Sequence, residues 1–382
     1  MRERVEEALE ILRKGGMVIL TDDEHRENEG DLCMLAEKAT PEAINFMARY
    51  GRGLICVTMT QERLSALGIP PMVSENTSRF HTAFTVSIEA AHGVTTGISA
   101  ADRAHTIRVA ADPDTKPSDL ARPGHIFPIA ARPGGVLERV GQTEGSVDLA
   151  RLCGARVAAG VICEIMKDDG TMARMPDLEL FAKEHGLIII TIADLIAYRL
   201  EKESLVEEVS CQTLHAGIAA GFEAHIMRSL VDKAEHLALT YHWNPDAPKT
   251  GKAPLIRVHG GSLWDEILGD TSRSRSLKTA IERIKDHGCG VILYISQKDN
   301  HILSYSSLGE SPAESIETSQ TEEERINAVA PETRWYGVGA QCLRHLGLSE
   351  IVLLTDAPKK MVALSGFGLR IIGHLALSAD KV

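Results

Sequence analysis

The chain has 382 residues, 44% of them hydrophobic and 25% charged, with a net charge of −12. Negative charge opposes binding to a nucleic-acid backbone, and aromatic residues, which would stack on unpaired bases, make up only 4% of the chain. No apolar run reaches the ~18 residues of a membrane-spanning helix. We therefore expect no nucleic-acid partner, no membrane span, and two domains of ~100–200 residues each.

The N-terminal segment 1–16 carries apolar residues at helical spacing among charges, which predicts an amphipathic helix rather than a signal peptide. The seven cysteines are scattered and form no C-x-x-C pair. Structural disulfides are therefore not expected, and the cytoplasm is the expected location.

The first unit, predicted over residues 1–200, mixes helices and strands without strict alternation. After the N-terminal helix, an apolar strand at 17–20 leads into an acidic loop. Further helices are predicted at 41–50 and 177–185, and further strands at 54–59, 83–90 and 160–166. This order favours an α+β fold with a mixed sheet.

A second unit is predicted from about residue 211, after a charged segment at 201–210 that has the composition of a linker or of a helix end. Strands are predicted at 253–260, 290–296 and 350–355, and helices at 275–287 and 337–346. The polar, acidic segment 307–326 is expected to be a mobile loop.

The acidic loop concentrates six carboxylates around Arg26: Asp22, Asp23, Glu24, Glu27, Glu29 and Asp31. In an extended segment, Glu27, Glu29 and Asp31 point the same way. Their mutual repulsion is relieved if a hard divalent cation such as Mg²⁺ lies among them. The alternative is a solvated acidic turn, since most charge runs are solvated surfaces.

Three later segments carry side chains suited to catalysis or phosphate binding. His125 follows a Pro-Gly pair between apolar flanks, and Glu164 lies in an apolar predicted strand. Arg139, Gln142 and Thr143 precede a predicted helix, whose free N–H groups can receive a phosphate. Each has a structural alternative: His125 as a hydrogen-bonded core histidine, and Glu164 as a paired carboxylate.

Four segments together resemble one family: DDEHRENEGD (22–31), TTGISAADR (95–103), KPSDLARPGHIFP (116–128) and DDGTMAR (168–174). The family is 3,4-dihydroxy-2-butanone 4-phosphate synthase of riboflavin biosynthesis, and the predicted domain is 1–203. The resemblance implies a lyase that converts D-ribulose 5-phosphate to L-3,4-dihydroxy-2-butanone 4-phosphate and formate. It also implies Mg²⁺, with Mn²⁺ as an alternative, no organic cofactor, and a homodimer.

The resemblance also implies roles for individual residues. The catalytic set is His125, Glu164 and Glu29, of which Glu29 has no fixed role; Cys56 matches a position near the site. The predicted metal ligands are Glu27 and Gln142. The predicted substrate-binding residues are Arg26, Glu27, Asp31, Arg139, Val140, Gly141, Gln142, Thr143 and Glu164.

Gln142 departs from the family pattern, because the family usually has His there as its second metal ligand. A Gln carbonyl is a hard oxygen donor that Mg²⁺ accepts, although it lacks the basicity of imidazole. We expect metal binding to be retained but weaker. The alternative is a non-catalytic sugar-phosphate-binding or regulatory protein whose metal site has decayed.

The second half contains four further segments: LIRVHGGSLWDEILGD (255–270), GVILYISQ (290–297), RWYGVGAQCLRHLGL (334–348) and IVLLTDAPKKMVALSGFGL (351–369). Together they resemble GTP cyclohydrolase II, which implies a fused α/β domain over residues 208–382. The family has three zinc-binding cysteines, and the corresponding positions here are Ser262, Arg273 and Arg275. Because a hydroxyl and two guanidiniums cannot bind zinc, we predict no zinc and no GTP cyclohydrolase activity. The family's GTP-binding loop also differs, at 298–300. The alternative is a truly bifunctional enzyme.

Overall fold

The structure of the protein is a computed structural model that describes residues 2–23, 26–231, 233–244, 252–260, 272–296, 331–356 and 369–377. These residues divide into two compact units, the first ending at Tyr198 and the second beginning at Arg199. In this part of the chain, no helix combines the length and the apolar character needed to cross a membrane.

The first unit is built around a mixed sheet. Its strands are β1 Val18–Thr21, β2 Gly30–Leu35, β3 Cys56–Thr60, β4 Ile88–Ala90, β5 Leu120–Ala131, β6 Ala159–Glu164 and β7 Ile189–Thr191. Their order among the described residues is β4-β5-β3-β6-β2-β1-β7. The pairs β1–β7 and β3–β5 are parallel, whereas β1–β2, β2–β6, β3–β6 and β4–β5 are antiparallel. The predicted mixed-sheet α+β fold is confirmed.

Along the chain, the helices of this unit are interspersed among its strands. They are α1 Arg2–Arg13, α2 Pro41–Phe46, α3 Gln61–Ala66, α4 Ala100–Ala111, α5 Gln142–Cys153, α6 Met175–His185 and α7 Ile192–Lys202, which continues past Tyr198. Helix α1 is amphipathic as predicted, because its buried residues recur at helical spacing: Val5, Ala8, Leu9 and Leu12.

The helix predicted at 41–50 is shorter and changes type. Helix α2 begins where Thr40 Oγ1 accepts a hydrogen bond from Ala43 N and Pro41 occupies the first turn. From Met47 to Gly51 the chain widens into a π-helical turn, which Arg52 ends with φ 70°. This turn brings the backbone after Arg52 alongside the end of β6, where Gly53 N donates to Glu164 O.

The second unit also contains a mixed sheet with helices. Its strands are β8 Val206–Thr213, β9 Glu223–Ser229, β10 Glu235–Tyr241, β11 Leu255–Gly260, β12 Gly290–Ile295, β13 Glu350–Leu354 and β14 Arg370–Leu375. Its further helices are α8 Ser272–His287 and α9 Pro331–His345. The order within the described residues is β14-β13-β11-β12-β10-β9-β8. Strands β11 to β14 pair in parallel, and β8, β9, β10 and β12 pair antiparallel.

Segment 201–210 is not a linker: the predicted helix end is confirmed at residues 201–202, where α7 ends, and the segment continues into the start of β8. Its acidic side chains fit an edge strand, where charge discourages further strand pairing. The predicted mobile loop 307–326 lies outside the described residues.

Candidate active site

The acidic loop is organised by Asp22, the first residue after β1. Its Oδ1 accepts a hydrogen bond from Glu29 N (2.9 Å), and its Oδ2 accepts one from Glu27 N (3.1 Å). Arg174 fixes the same loop from α6's N-terminal side, because its Nη1 donates to Glu27 O (2.6 Å) and to Asn28 O. These bonds fix the Asp22 carboxylate and the backbone of residues 27–29, unlike a freely solvated acidic turn.

Arg26 lies at the centre of this array with a side chain only 2% exposed. Its Nη1 lies 2.8 Å from Asp22 Oδ2, 3.1 Å from Glu27 Oε2 and 3.0 Å from Gln142 Oε1. The guanidinium also packs 5.6 Å from the ring centroid of Phe80. The two oxygens predicted to bind metal, on Glu27 and Gln142, thus both contact Arg26 Nη1, which shows that they face a common point where a cationic group lies.

Two further carboxylates lie side by side on adjacent strands of the sheet. Asp31 on β2 and Glu164 on β6 are register partners, and Asp31 is buried. Burial, and next the nearby Glu164 carboxylate, raise the pKa of Asp31 well above its ordinary value. Asp31 therefore tends to retain a proton at pH values where an exposed aspartate is ionised.

Glu27 and Glu29 have raised pKa values for a related reason. Burial raises the pKa of Glu27, although the Arg26 charge opposes this change. Partial burial, reinforced by the Glu27 charge, raises the pKa of Glu29 to about 7. A carboxyl group with a pKa near neutrality can both accept and donate protons, which suits a general acid–base catalyst.

Glu164 is oriented by the backbone that follows the π-helical turn. Leu54 N donates a hydrogen bond to Glu164 Oε2 at 2.8 Å. Strand β3 is the other neighbour of β6, and its residue Cys56 is buried. Burial, together with the Glu164 charge, raises the pKa of the Cys56 thiol. Cys56 is thus a neutral thiol beside the carboxylates, consistent with its predicted position near the site.

His125 does not lie in a separate loop, as its Pro-Gly neighbours suggested, but within strand β5. The pairing of β4 with β5 shifts between Ile88 and Glu89, which leaves room for the intervening residues of β5 to bulge. Gly124 passes so close to β4 that a Cβ there would lie 2.0 Å from Ile88 O. The bulge therefore accommodates residues that a regular strand would disfavour.

His125 is hydrogen-bonded to a residue that the sequence did not single out. Its Nδ1 lies 2.7 Å from Glu89 Oε2, and Thr106 Oγ1 donates to Glu89 Oε1 at 2.8 Å. The Glu89 side chain is 12% exposed, whereas that of His125 is 45% exposed. A buried carboxylate thus fixes one ring nitrogen while the imidazole stays accessible to a substrate.

The predicted phosphate-binding segment leads into α5. Arg139 Nη1 donates to Glu144 Oε2 (2.7 Å) and Nη2 to Phe80 O (3.1 Å). Gly141 is the N-cap of α5 and has no side chain to occupy the free N–H groups of the first turn. Gln142 and Thr143 follow as buried residues of that turn, and Val140 precedes the cap. An anion can therefore be received there.

The structure brings most of the predicted residues into one region and sets His125 apart. Arg26, Glu27 and Gln142 share contacts, and Asp31 pairs with Glu164. His125 lies on β5, which is two strands from β6 in the sheet order, about 10 Å at ordinary strand spacing. A substrate of sugar-phosphate size can bridge this separation. The sequence analysis assigned no individual role to Asp22, Glu89, Thr106 or Arg174.

Two family models match the chain. Residues 6–198 match 3,4-dihydroxy-2-butanone 4-phosphate synthase, and residues 206–376 match GTP cyclohydrolase II. Riboflavin biosynthesis protein RibBA of Aquifex aeolicus (strain VF5) is 50% identical over 393 residues, which cover 98% of this chain and 92% of the relative. The resemblance to both families is thereby confirmed.

Solved structures agree with these matches. RibBX of A. baumannii, described as a two-domain 3,4-dihydroxy-2-butanone 4-phosphate synthase, is 40% identical with a TM-score of 0.74, over 99% of this chain and 100% of that chain. A 3,4-dihydroxy-2-butanone 4-phosphate synthase in complex with two magnesium ions is 42% identical with a TM-score of 0.50, over 52% of this chain and 97% of that chain. The chain therefore belongs to the 3,4-dihydroxy-2-butanone 4-phosphate synthase family of riboflavin biosynthesis, whose members are lyase-type enzymes, and it carries a second domain of the GTP cyclohydrolase II family.

Proposed function

We propose that this chain converts D-ribulose 5-phosphate to L-3,4-dihydroxy-2-butanone 4-phosphate and formate. The observation that carries the proposal is the pairing of Asp31 with Glu164 beside Glu27 and Glu29. Enediol formation, loss of a hydroxyl as water and release of formate require repeated proton transfers. Carboxyl groups with raised pKa values in one region suit such a sequence.

The metal would be held by Glu27 and Gln142. Their oxygens both lie close to Arg26 Nη1, so they converge, and a carboxylate with an amide carbonyl is a hard donor set that fits Mg²⁺, or Mn²⁺ in its place. The bound ion supplies Lewis acidity toward the ketose oxygens. We propose that the reaction uses no organic cofactor.

The protein residues then divide the work. Arg139 and the residues 140–143 at the start of α5 bind the phosphate. Arg26, Glu27 and Asp31 bind the sugar, while Glu164 both contacts the substrate and moves protons with His125 and Glu29. Glu89 is a positioning residue, since it reaches the substrate only through His125.

Formate release from D-ribulose 5-phosphate by the full-length chain tests the proposal. We expect release with Mg²⁺, its loss with EDTA, and its recovery when Mg²⁺ is restored in excess. Glu164→Gln should abolish it, whereas the exposed control Glu62→Gln should not. A folded chain that binds the sugar phosphate but releases no formate under any of these conditions would establish the rival, a non-catalytic binding protein.

For the second domain we propose a retained fold without the family's zinc and without GTP cyclohydrolase activity. The basis is the chemistry of Ser262, Arg273 and Arg275, which replaces three thiols. Ser262 and the segment 298–300 lie outside the described residues, and the side chains of Arg273 and Arg275 are likewise not described. Inactivity therefore stays a prediction.

The second candidate is a bifunctional enzyme, which is favoured by the GTP cyclohydrolase II match over residues 206–376. Consumption of GTP, measured with Zn²⁺ and with a zinc chelator, separates the two. We expect no GTP consumption in either condition. Zinc-dependent consumption at a rate comparable with formate release from the sugar would establish bifunctionality.

We further propose domain limits of 1–203 and 208–382, a homodimer and a cytoplasmic location. The domain limits and the homodimer follow from the resemblance. The cytoplasmic location follows from the scattered cysteines, all of which are free in the structure. Light scattering on the purified chain tests the oligomeric state. A monomer at micromolar concentration would overturn the dimer.

A further inference from the structure

The edge strand β8 and its neighbour β9 bring together three different metal-binding side chains, far in sequence from the active site. Glu208 and Cys211 lie on β8, and His225 lies on β9. One carboxylate oxygen, the sulfur and one ring nitrogen of these residues all lie within 4.8 Å of one another. None of the three enters the proposed synthase chemistry.

A β-bulge creates this arrangement. Side chains alternate between the two faces of a regular strand, so residues 208 and 211 would normally point to opposite faces. Here Glu208 pairs with Met227 and Ser210 with Ile226, which leaves one additional residue on β8. The additional residue restores Glu208 and Cys211 to a common face, where Cys211 is directly opposite His225.

The two ring nitrogens of His225 face different partners, and a single ion can bind only one of them. His225 Nδ1 lies 3.2 Å from Glu208 Oε2, and its Nε2 lies 4.0 Å from Cys211 Sγ. In a tetrahedral zinc site, bond lengths of about 2.3 Å to sulfur and about 2.0 Å to nitrogen place these two atoms about 3.5 Å apart. The sulfur and Nε2 are therefore about 0.5 Å further apart than in such a site, and the Glu208 carboxylate would turn from Nδ1 toward the ion.

The cluster is open to an ion and lies in a negative field. Glu208 is 33% exposed at its side chain and His225 is 12% exposed, while Cys211 is exposed. The carboxylates of Glu208 and Glu223 interact electrostatically with Cys211, and their negative charge attracts a cation.

We propose that Glu208, Cys211 and His225 form a site for a divalent transition metal of Zn²⁺ type, with three protein ligands and a water molecule in the fourth position. The mixed oxygen, sulfur and nitrogen donor set selects Zn²⁺ or Co²⁺ over Mg²⁺. In the sequence, the three residues precede the positions that correspond to the family's zinc cysteines, and the proposal does not depend on the proposed synthase activity.

Titration of the untagged full-length chain with Co²⁺, followed by absorption spectroscopy, tests the site. A thiolate ligand gives a near-ultraviolet charge-transfer band, which the oxygen ligands of the active site cannot produce. We expect one equivalent of Co²⁺ to develop this band and Zn²⁺ to displace it. An absent band in the wild-type chain would overturn the proposal.

Variants assign the ligands, with folding checked by circular dichroism. Cys211→Ser should remove the band, and His225→Gln and Glu208→Gln should each weaken Co²⁺ binding at least tenfold. Cys289→Ser is the matched control, since Cys289 is a partly buried thiol of the same unit, and it should leave the titration unchanged. A band that persists in Cys211→Ser, or undiminished affinity in His225→Gln, would overturn the assignment.

Discussion

Glu89 and His125 form a hydrogen-bonded pair across β4 and β5, with Oε2 of Glu89 2.7 Å from Nδ1 of His125. Thr106 holds the other carboxylate oxygen, so the pair has a fixed orientation. A carboxylate in this position selects the tautomer with a proton on Nδ1 and leaves Nε2 as the basic nitrogen. It also stabilises the imidazolium that forms when Nε2 accepts a proton.

Glu89→Gln should therefore lower kcat by about 100-fold with little change in KM, because the amide neither carries the charge nor fixes the tautomer. Steady-state formate release over a range of sugar-phosphate concentrations measures kcat and KM. Glu89→Asp should restore part of kcat, because it keeps the carboxylate. A purely structural role would instead lower the active fraction of both variants alike.

Gly97 lies directly against this pair. A Cβ there would lie 1.9 Å from Glu89 Oε2 and 2.6 Å from His125 Nδ1, and the backbone φ is +85°. Gly97→Ala should therefore reduce kcat at least as strongly as Glu89→Gln. The matched control is Gly154→Ala, which has φ +76° but nothing within 4 Å of the new Cβ.

Both glycine variants should lose about 1–2 kcal/mol of stability from the left-handed backbone, but only Gly97→Ala should lose activity. Urea denaturation and formate release on the same preparations separate the two effects. Equal activity losses in the two variants would show that backbone strain, not the collision with Glu89 and His125, is responsible.

Gln142→Ala should raise the Mg²⁺ concentration needed for half-maximal formate release by about tenfold, because one of two proposed protein ligands is lost. Gln61→Ala, at an exposed position of α3, is the control. An unchanged Mg²⁺ requirement in Gln142→Ala would exclude the side chain as a ligand. In that case its hydrogen bond to Arg26 would be its main role.

His236 should make the second unit less stable in acid. The residue is 3% exposed, Ser296 N donates to its Nδ1, and burial lowers its pKa from 6.5 to about 4. Since the unfolded chain binds the proton first, stability is complete above pH 6.5 and falls as the pH drops toward 4. The difference between the two pKa values lowers the free energy of unfolding by about 3 kcal/mol in acid, at about 1.4 kcal/mol per pKa unit.

Tryptophan fluorescence follows this unit specifically, because Trp243, Trp264 and Trp335 all lie in the second half of the chain. Urea titrations at pH 7 and pH 4 should show about 3 kcal/mol more acid destabilisation for the wild type than for His236→Gln. An equal loss in both proteins would assign the acid sensitivity to other groups.

Local patterns predicted much of the fold. The apolar spacing of α1 and the apolar run of β1 identified both elements, and Gly186 ends α6 with φ 65° as a left-handed cap. The strand predicted at 83–90 is wrong over most of its length, because only Ile88–Ala90 pairs continuously, whereas Phe84 and Thr85 make isolated bridges. A segment rich in β-branched and aromatic residues can form a strand, but the strand extends only as far as a neighbouring strand lies alongside it.

The candidate site was predictable where the residues share a short segment, as in the loop 22–31. The partnership of Glu89 with His125 was not, because it depends on a shift in register between β4 and β5. Asp22 resembled its acidic neighbours, and only the loop backbone around its oxygens shows that it organises them. The pairing of Asp31 with Glu164 likewise follows from sheet order rather than from any local pattern.

That pairing has a consequence for when the protein becomes active during its synthesis. Asp31 emerges from the ribosome early, whereas Glu164 and β6, which separates β2 from β3, are made much later. A nascent chain that stops before β6 lacks both the central strand of the sheet and one of the paired carboxyl groups. We therefore expect no formate release from a nascent chain until β6, and after it the Arg174 that holds the acidic loop, have been synthesised.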